Sequence, residues 1–146
     1  MMRMLQIVMM TLMIALMMIA ATAGAEPYAA SGQVGYLQEW ELKASLAKSV
    51  SGGRIEYSGP VTLRHVGLCS VNGVEEKSGK LRLTVSRWTS GVEGTLAMEG
   101  DSCRVVASQS RPYSGLLNCR NAQGVPISFS IDPESAAVAR GPDVGK

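Results

Sequence analysis

Aromatic residues are scarce in this sequence: one Phe, two Trp and four Tyr among 146 residues. Any core must therefore be mainly aliphatic. Histidine is scarcer still, with His65 alone, which excludes chemistry that needs two imidazoles. Cysteine occurs three times, at Cys69, Cys103 and Cys119, with no CxxC pair, so a cysteine-rich zinc module is excluded. Charge of one sign is not in excess either: 14 Lys and Arg stand against 12 Asp and Glu. The densest basic stretch, Lys77, Lys80, Arg82 and Arg87, follows directly on Glu75 and Glu76. Nucleic acid is thus not an expected partner, because phosphate-backbone binding needs a concentrated basic surface. Beyond the first segment, no apolar run approaches the ~20 residues needed to cross a bilayer as a helix.

What the chain has in abundance is confined to its start. Eight of its nine methionines lie in the first 18 residues, and 20 of the first 25 residues are apolar. Arg3, the apolar stretch Leu5 to Ala21, and the small residues Ala21-Thr22-Ala23-Gly24-Ala25 together form the pattern of a secretory signal peptide over residues 1–25. Ala23 and Ala25 satisfy the A-x-A rule, and Glu26-Pro27 cannot prolong a helix, so cleavage is expected after Ala25. A cut after Ala23 and retention as an anchor are the alternatives. Removal of the signal takes Arg3 with it and leaves a nearly neutral domain, expected in the periplasm or outside the cell without stable membrane insertion.

Residues 26–35, rich in Ala, Gly and Ser, read as a flexible lead-in, and residues 132–146, with Pro and Gly and few large apolar groups, as a disordered tail. Between them, residues 36–131 show alternating apolar and polar positions broken by frequent turn signals, the pattern of antiparallel β structure. Leu42, Ala44 and Leu46 alternate with polar neighbours, although Leu37, Trp40, Ala44 and Ala47 also fit a helix face. Ser51-Gly52-Gly53 supplies a turn. Gly59-Pro60 is expected to bend or interrupt the next strand, because proline cannot donate to a ladder. Val61, Leu63, His65, Gly67 and Cys69 share one face of a continuing strand, and a polar loop from Asn72 to Gly79 follows. Leu81, Leu83 and Val85 mark the inward face of the strand after it.

A meander should follow. A two-residue turn at Gly100-Asp101 sets Met98 opposite Cys103 and Leu96 opposite Val105, while a hairpin centred on Arg111 sets Val105 opposite Leu117 and Cys103 opposite Cys119. Ile127, Phe129 and Ile131 alternate in a last strand. About seven strands imply an all-β fold, a small antiparallel barrel or a two-sheet sandwich.

The register makes Cys103 with Cys119 the expected disulfide, with Cys69 bridged to either as the alternative. His65 and Cys69 are the only paired candidates for a nucleophile and base or for metal ligation. Four residues along a strand span about 13 Å, however, so both are read first as structural. Glu93, Glu99 and Asp101 fall on or beside one hairpin and fit a solvated strand face. Gly52-Gly53 and Gly91-x-x-Gly94 lack the strand-then-helix setting of a phosphate loop. No catalytic residue, metal or cofactor is therefore expected.

The segment Ser58-Gly59-Pro60-Val61-Thr62-Leu63-Arg64-His65-Val66-Gly67-Leu68-Cys69, with Glu75-Glu76-Lys77-Ser78-Gly79 and the later Tyr113-Ser114-Gly115 and Cys119, resembles small exported bacterial proteins of uncharacterised function. The likeness covers most of the body and implies no activity. By architecture alone it is also similar to small periplasmic barrels that inhibit secreted proteases or bind apolar ligands. The expected role is that of an exported, non-enzymatic β domain that binds an unknown protein or small-molecule ligand. A small hydrolase using carboxylates from different strands, or a ligand-carrying barrel, is the alternative.

Overall fold

The computed structural model describes residues 26–67 and 73–134; residues 1–25, where the signal peptide is expected, Cys69 and the chain after Glu134 lie outside them. Eight antiparallel strands follow one another as a closed up-and-down barrel: β1 (Tyr28–Val34), β2 (Trp40–Ser51), β3 (Arg54–His65), β4 (Glu76–Ser86), β5 (Gly91–Met98), β6 (Asp101–Ser108), β7 (Tyr113–Asn118) and β8 (Val125–Pro133). Of the two all-β architectures left open by the sequence, the barrel is the one adopted. Closure through β1 and β8 gives each described strand a neighbour on both sides.

Closure also explains the strand that composition hides. Residues 26–35 are not a flexible lead-in, because Tyr28–Val34 pairs with β2 on one side and β8 on the other. Its small residues are there for space. A side-chain carbon added at Gly32 would lie 2.7 Å from Phe129 Cα, so the glycine lets β8 and its large core ring come close. At the other terminus the strand runs on to Pro133, and the Glu134 N–H donates to the Pro27 carbonyl at 2.8 Å. The expected tail thus begins later than Asp132.

Eight strands give a barrel whose interior side chains alone can fill. Here they do: Leu42, Leu46, Leu81, Leu83, Val92, Leu96, Val105, Leu117 and Phe129 belong to one buried cluster. Five other inward positions, Gly32, Gly59, Gly79, Gly94 and Gly115, carry no side chain, and at each an added carbon would collide with the backbone of the neighbouring strand. These are the points at which a small barrel can coil tightly.

Gly59-Pro60 does not break β3, which runs unbroken for 12 residues. Its ladder to β2 lapses opposite Ser45 and Leu46, where proline has no N–H to give, but Gly59 and Pro60 keep their partners Leu81 and Lys80 on β4. Lys77 and Gly79 likewise pair with Leu63 and Val61, so β4 begins at Glu76 inside the stretch expected to be a loop. The β2–β3 turn uses Gly52 and Gly53, both at positive φ (55° and 77°), the primed geometry that suits twisted strands.

In the meander, Leu96 faces Cys103 and Met98 faces Asp101, two residues away from the expected register. The turn is Glu99-Gly100, with Gly100 (φ 76°) second, where its positive φ is needed. A shift of two keeps every side chain on its face, so the core is unchanged. The following pair stands as expected, with Val105 opposite Leu117. Cys103 and Cys119 are joined as a disulfide between β6 and the residue after β7.

Candidate functional site

His65 and Cys69 do not form a described site. His65 ends β3 and packs edge-on against Trp40, with ring centroids 4.9 Å apart. The Lys77 ammonium lies 4.7 Å from the centroid of the same indole and pairs with Glu75 at 3.1 Å. The imidazole also folds over Gly67, where an added carbon would sit 2.9 Å from it. This is a packed ring that ties β2 to β3. Cys69 lies outside the described residues.

Asp101, Cys103 and Cys119 bring three potential ligand atoms within 4.8 Å of one another. Two of those atoms are the bonded sulfurs of the disulfide, which have no thiolate to offer a metal. The Asp101 carboxylate accepts the backbone N–H groups of Ser102 at 2.8 Å and Arg120 at 3.3 Å, fastening the β7–β8 loop to the start of β6. Glu93 pairs with Arg104 at 3.5 Å. Glu93 and Asp101 are thus engaged separately.

An open depression of about 940 Å³ on the outside of the barrel is lined by Arg82, Thr84, Glu93, Thr95, Arg104 and Asn118 among others. Two of its arginines, Arg82 and Arg104, are paired with carboxylates, whereas Arg54, which also lines it, has no ion pair among the described residues. Arg82 holds Glu56 at 3.0 Å, and this hydrogen-bonded carboxylate pushes the guanidinium above its ordinary basicity. Exposed pairs of this kind contribute little to stability and leave a polar surface close to neutral.

The barrel ends differ more than its walls. At the end where the chain enters at Tyr28 and leaves at Pro133, the interior is sealed by Tyr28 and Tyr57 (centroids 5.4 Å apart, edge-on) and by Tyr113 stacked on Phe129 at 5.2 Å. Burial pushes the Tyr57 hydroxyl above its usual pKa, opposed by the positive charges of Lys48 and Arg111 and reinforced by Tyr113 and Tyr28. Lys48 lies over the Tyr28 ring at 5.3 Å.

Three hairpin loops crown this mouth. The segments 48–54, 86–91 and 108–113 contain Lys48, Arg54, Arg87 and Arg111 and not one Asp or Glu. They touch in series: the Arg87 N–H donates to the Gly53 carbonyl at 3.2 Å, and the Gln109 N–H to the Ser90 carbonyl at 2.7 Å. Arg54, Arg87 and Arg111 are exposed. Trp88 stands between them with 86% of its surface in solvent. The opposite mouth carries Glu39, Glu41, Glu75, Glu76, Glu99 and Asp101 beside Arg64, Lys77 and Arg120, so carboxylates are in excess there and the two ends of the barrel differ in charge. Glu26, Asp132 and Glu134 flank the basic mouth only where the termini meet.

Sequence inspection missed this site because its cations are spread over more than sixty residues. The available signal was topological: in an up-and-down barrel every second turn lies at the same end, and alternate turns here are basic. Comparison with protein-family models, with curated proteins and with solved structures returns no match.

Proposed function

We propose that this protein is an exported, non-enzymatic binding domain that works through the basic, Trp88-bearing loop end of a sealed barrel. The observation that carries the proposal is the pairing of a filled interior with a polarised exterior. A ligand carrier needs a lumen, and this interior is occupied by Leu42, Val92, Val105 and Phe129. A hydrolase needs carboxylates converging on one cleft, and Glu93 and Asp101 are instead tied to different partners. An exposed indole beside arginines that have no ion pair among the described residues supports, by contrast, a recognition surface.

Export is supported by the signal-like residues 1–25 and by the Cys103–Cys119 disulfide, a bond that persists in oxidising compartments such as the periplasm or the extracellular space. The outward positions Lys43, Arg82, Glu93 and Arg104 are charged, the reverse of the apolar band that a bilayer-spanning barrel presents. The domain is accordingly proposed to remain outside the hydrocarbon of any membrane.

The test is retention of solubilised envelope material, lipid, protein and saccharide together, on immobilised wild-type protein and on R54E/R87E/R111E. Binding by the basic mouth requires retention on the wild type that the charge reversal abolishes. Equal retention on both, or on neither, would overturn the proposal.

A further inference from the structure

We infer that the partner of the basic mouth is a bilayer surface bearing anionic phospholipid headgroups, a reading that rests on the binding role proposed above. Two observations meet here. The first is composition: three loops at one end hold Arg54, Arg87, Arg111 and Lys48 with an indole exposed among them. Tryptophan is favoured at the boundary between water and lipid, where its flat apolar body and its N–H are both accommodated, and arginine binds phosphate oxygens with two parallel donors.

The second observation is where the chain comes from. β1 starts at Tyr28 at this same mouth. Residues 22–27 separate it from the apolar stretch ending at Ala21, and six residues span at most about 21 Å. While that stretch occupies a membrane, the basic loops are therefore held near the headgroup layer, within reach of a field that decays over about 8 Å at physiological salt. The opposite mouth, where six carboxylates outnumber Arg64, Lys77 and Arg120, is repelled by the same field, so the difference in charge between the two ends favours this orientation. Glu26, Asp132 and Glu134 lie on the β1 and β8 side, which tilts the docked barrel onto its β2–β3, β4–β5 and β6–β7 loops.

Contact at this depth needs no insertion of strands. It is a peripheral association, with the indole at the interface and the arginines on phosphate, and it persists after the signal is removed because the loops belong to the barrel.

The chain from Glu26, which contains all eight strands, is to be mixed with vesicles of phosphatidylcholine alone and of phosphatidylcholine with phosphatidylglycerol, then sedimented. Partition is expected only into the anionic vesicles, with a blue shift of tryptophan emission, and should be lost in about 0.5 M salt, where screening shortens to roughly 4 Å. R54Q/R87Q/R111Q should weaken partition about a hundredfold, about fivefold for each cation. W88S should abolish the spectral shift, with the packed Trp40 left as an internal reference, and R64Q/R120Q at the opposite mouth should change nothing. Circular dichroism confirms that each variant is folded.

Equal partition into both vesicle types, or partition indifferent to the three substitutions, would overturn the lipid assignment. Retention on immobilised heparin without vesicle partition would also overturn it while leaving the binding role standing. Failure of all envelope material to be retained on the protein would instead remove that role itself.

Discussion

Tyr57 shows how a single side chain reports on the sealed mouth. Its hydroxyl is held above pKa 10.0 because burial disfavours the phenolate, and Lys48 and Arg111 only partly offset this. Below pH 10.0 the group is neutral in both folded and unfolded chains and stability is intact. As pH rises past 10.0 the unfolded chain ionises first, so stability falls until the folded pKa has been passed. Denaturant unfolding at stepped alkaline pH should therefore show a decline in the wild type that is shallower in Y57F. An equal decline in both would mean that Tyr57 is not the group responsible. At this same scale, the sequence was legible where residue type and face agree, as at Leu81, Leu83 and Val85. It was less legible for glycine. Gly94 was readable as a strand residue, but Gly59 looked like a break, because close approach of a neighbouring backbone leaves no mark in sequence. His65 packs against the Trp40 ring of another strand, a contact that spacing along β3 does not reveal.

Among the elements, β6 and the end of β7 are joined covalently as well as by the ladder. The disulfide closes a separation of 16 residues, and loops of about that length confer roughly 3 kcal/mol in the chain-entropy account. C103A/C119A should lose about that amount in urea unfolding, with hydrogen exchange accelerating first in β6 and β7. A variant as stable as the wild type would show that the ladder alone suffices. This pairing was legible because the β6–β7 register followed from the hairpin at Arg111. The preceding turn lies one residue earlier than expected, which shifts the register by two, since Gly100 serves equally well in either central position until the strands are placed. β1 was missed for a different reason. Its Ala, Gly and Ser content has the same composition as a linker, and only the need to close the barrel gives those small residues a place.

For the molecule as a whole, closure sets the distribution of charge. A nearly neutral composition conceals a basic mouth and an acidic one, because alternation of turns sorts the loops by end. Neither the mouth nor its exposed indole was legible from a linear charge count, which weighs neighbours in sequence rather than loops that share an end. The filled core leaves no lumen for a ligand among the described residues, and the chain enters the barrel at the basic mouth. The central claim, that function resides at the basic mouth, is tested most directly by placing a photoreactive residue in intact cells at Trp88 or Ser110 on this mouth, and at Leu37 or Glu99 on the opposite one. Adducts should form from Trp88 and Ser110 and be absent from Leu37 and Glu99. Adducts confined to the acidic mouth, or distributed equally over both ends, would contradict it.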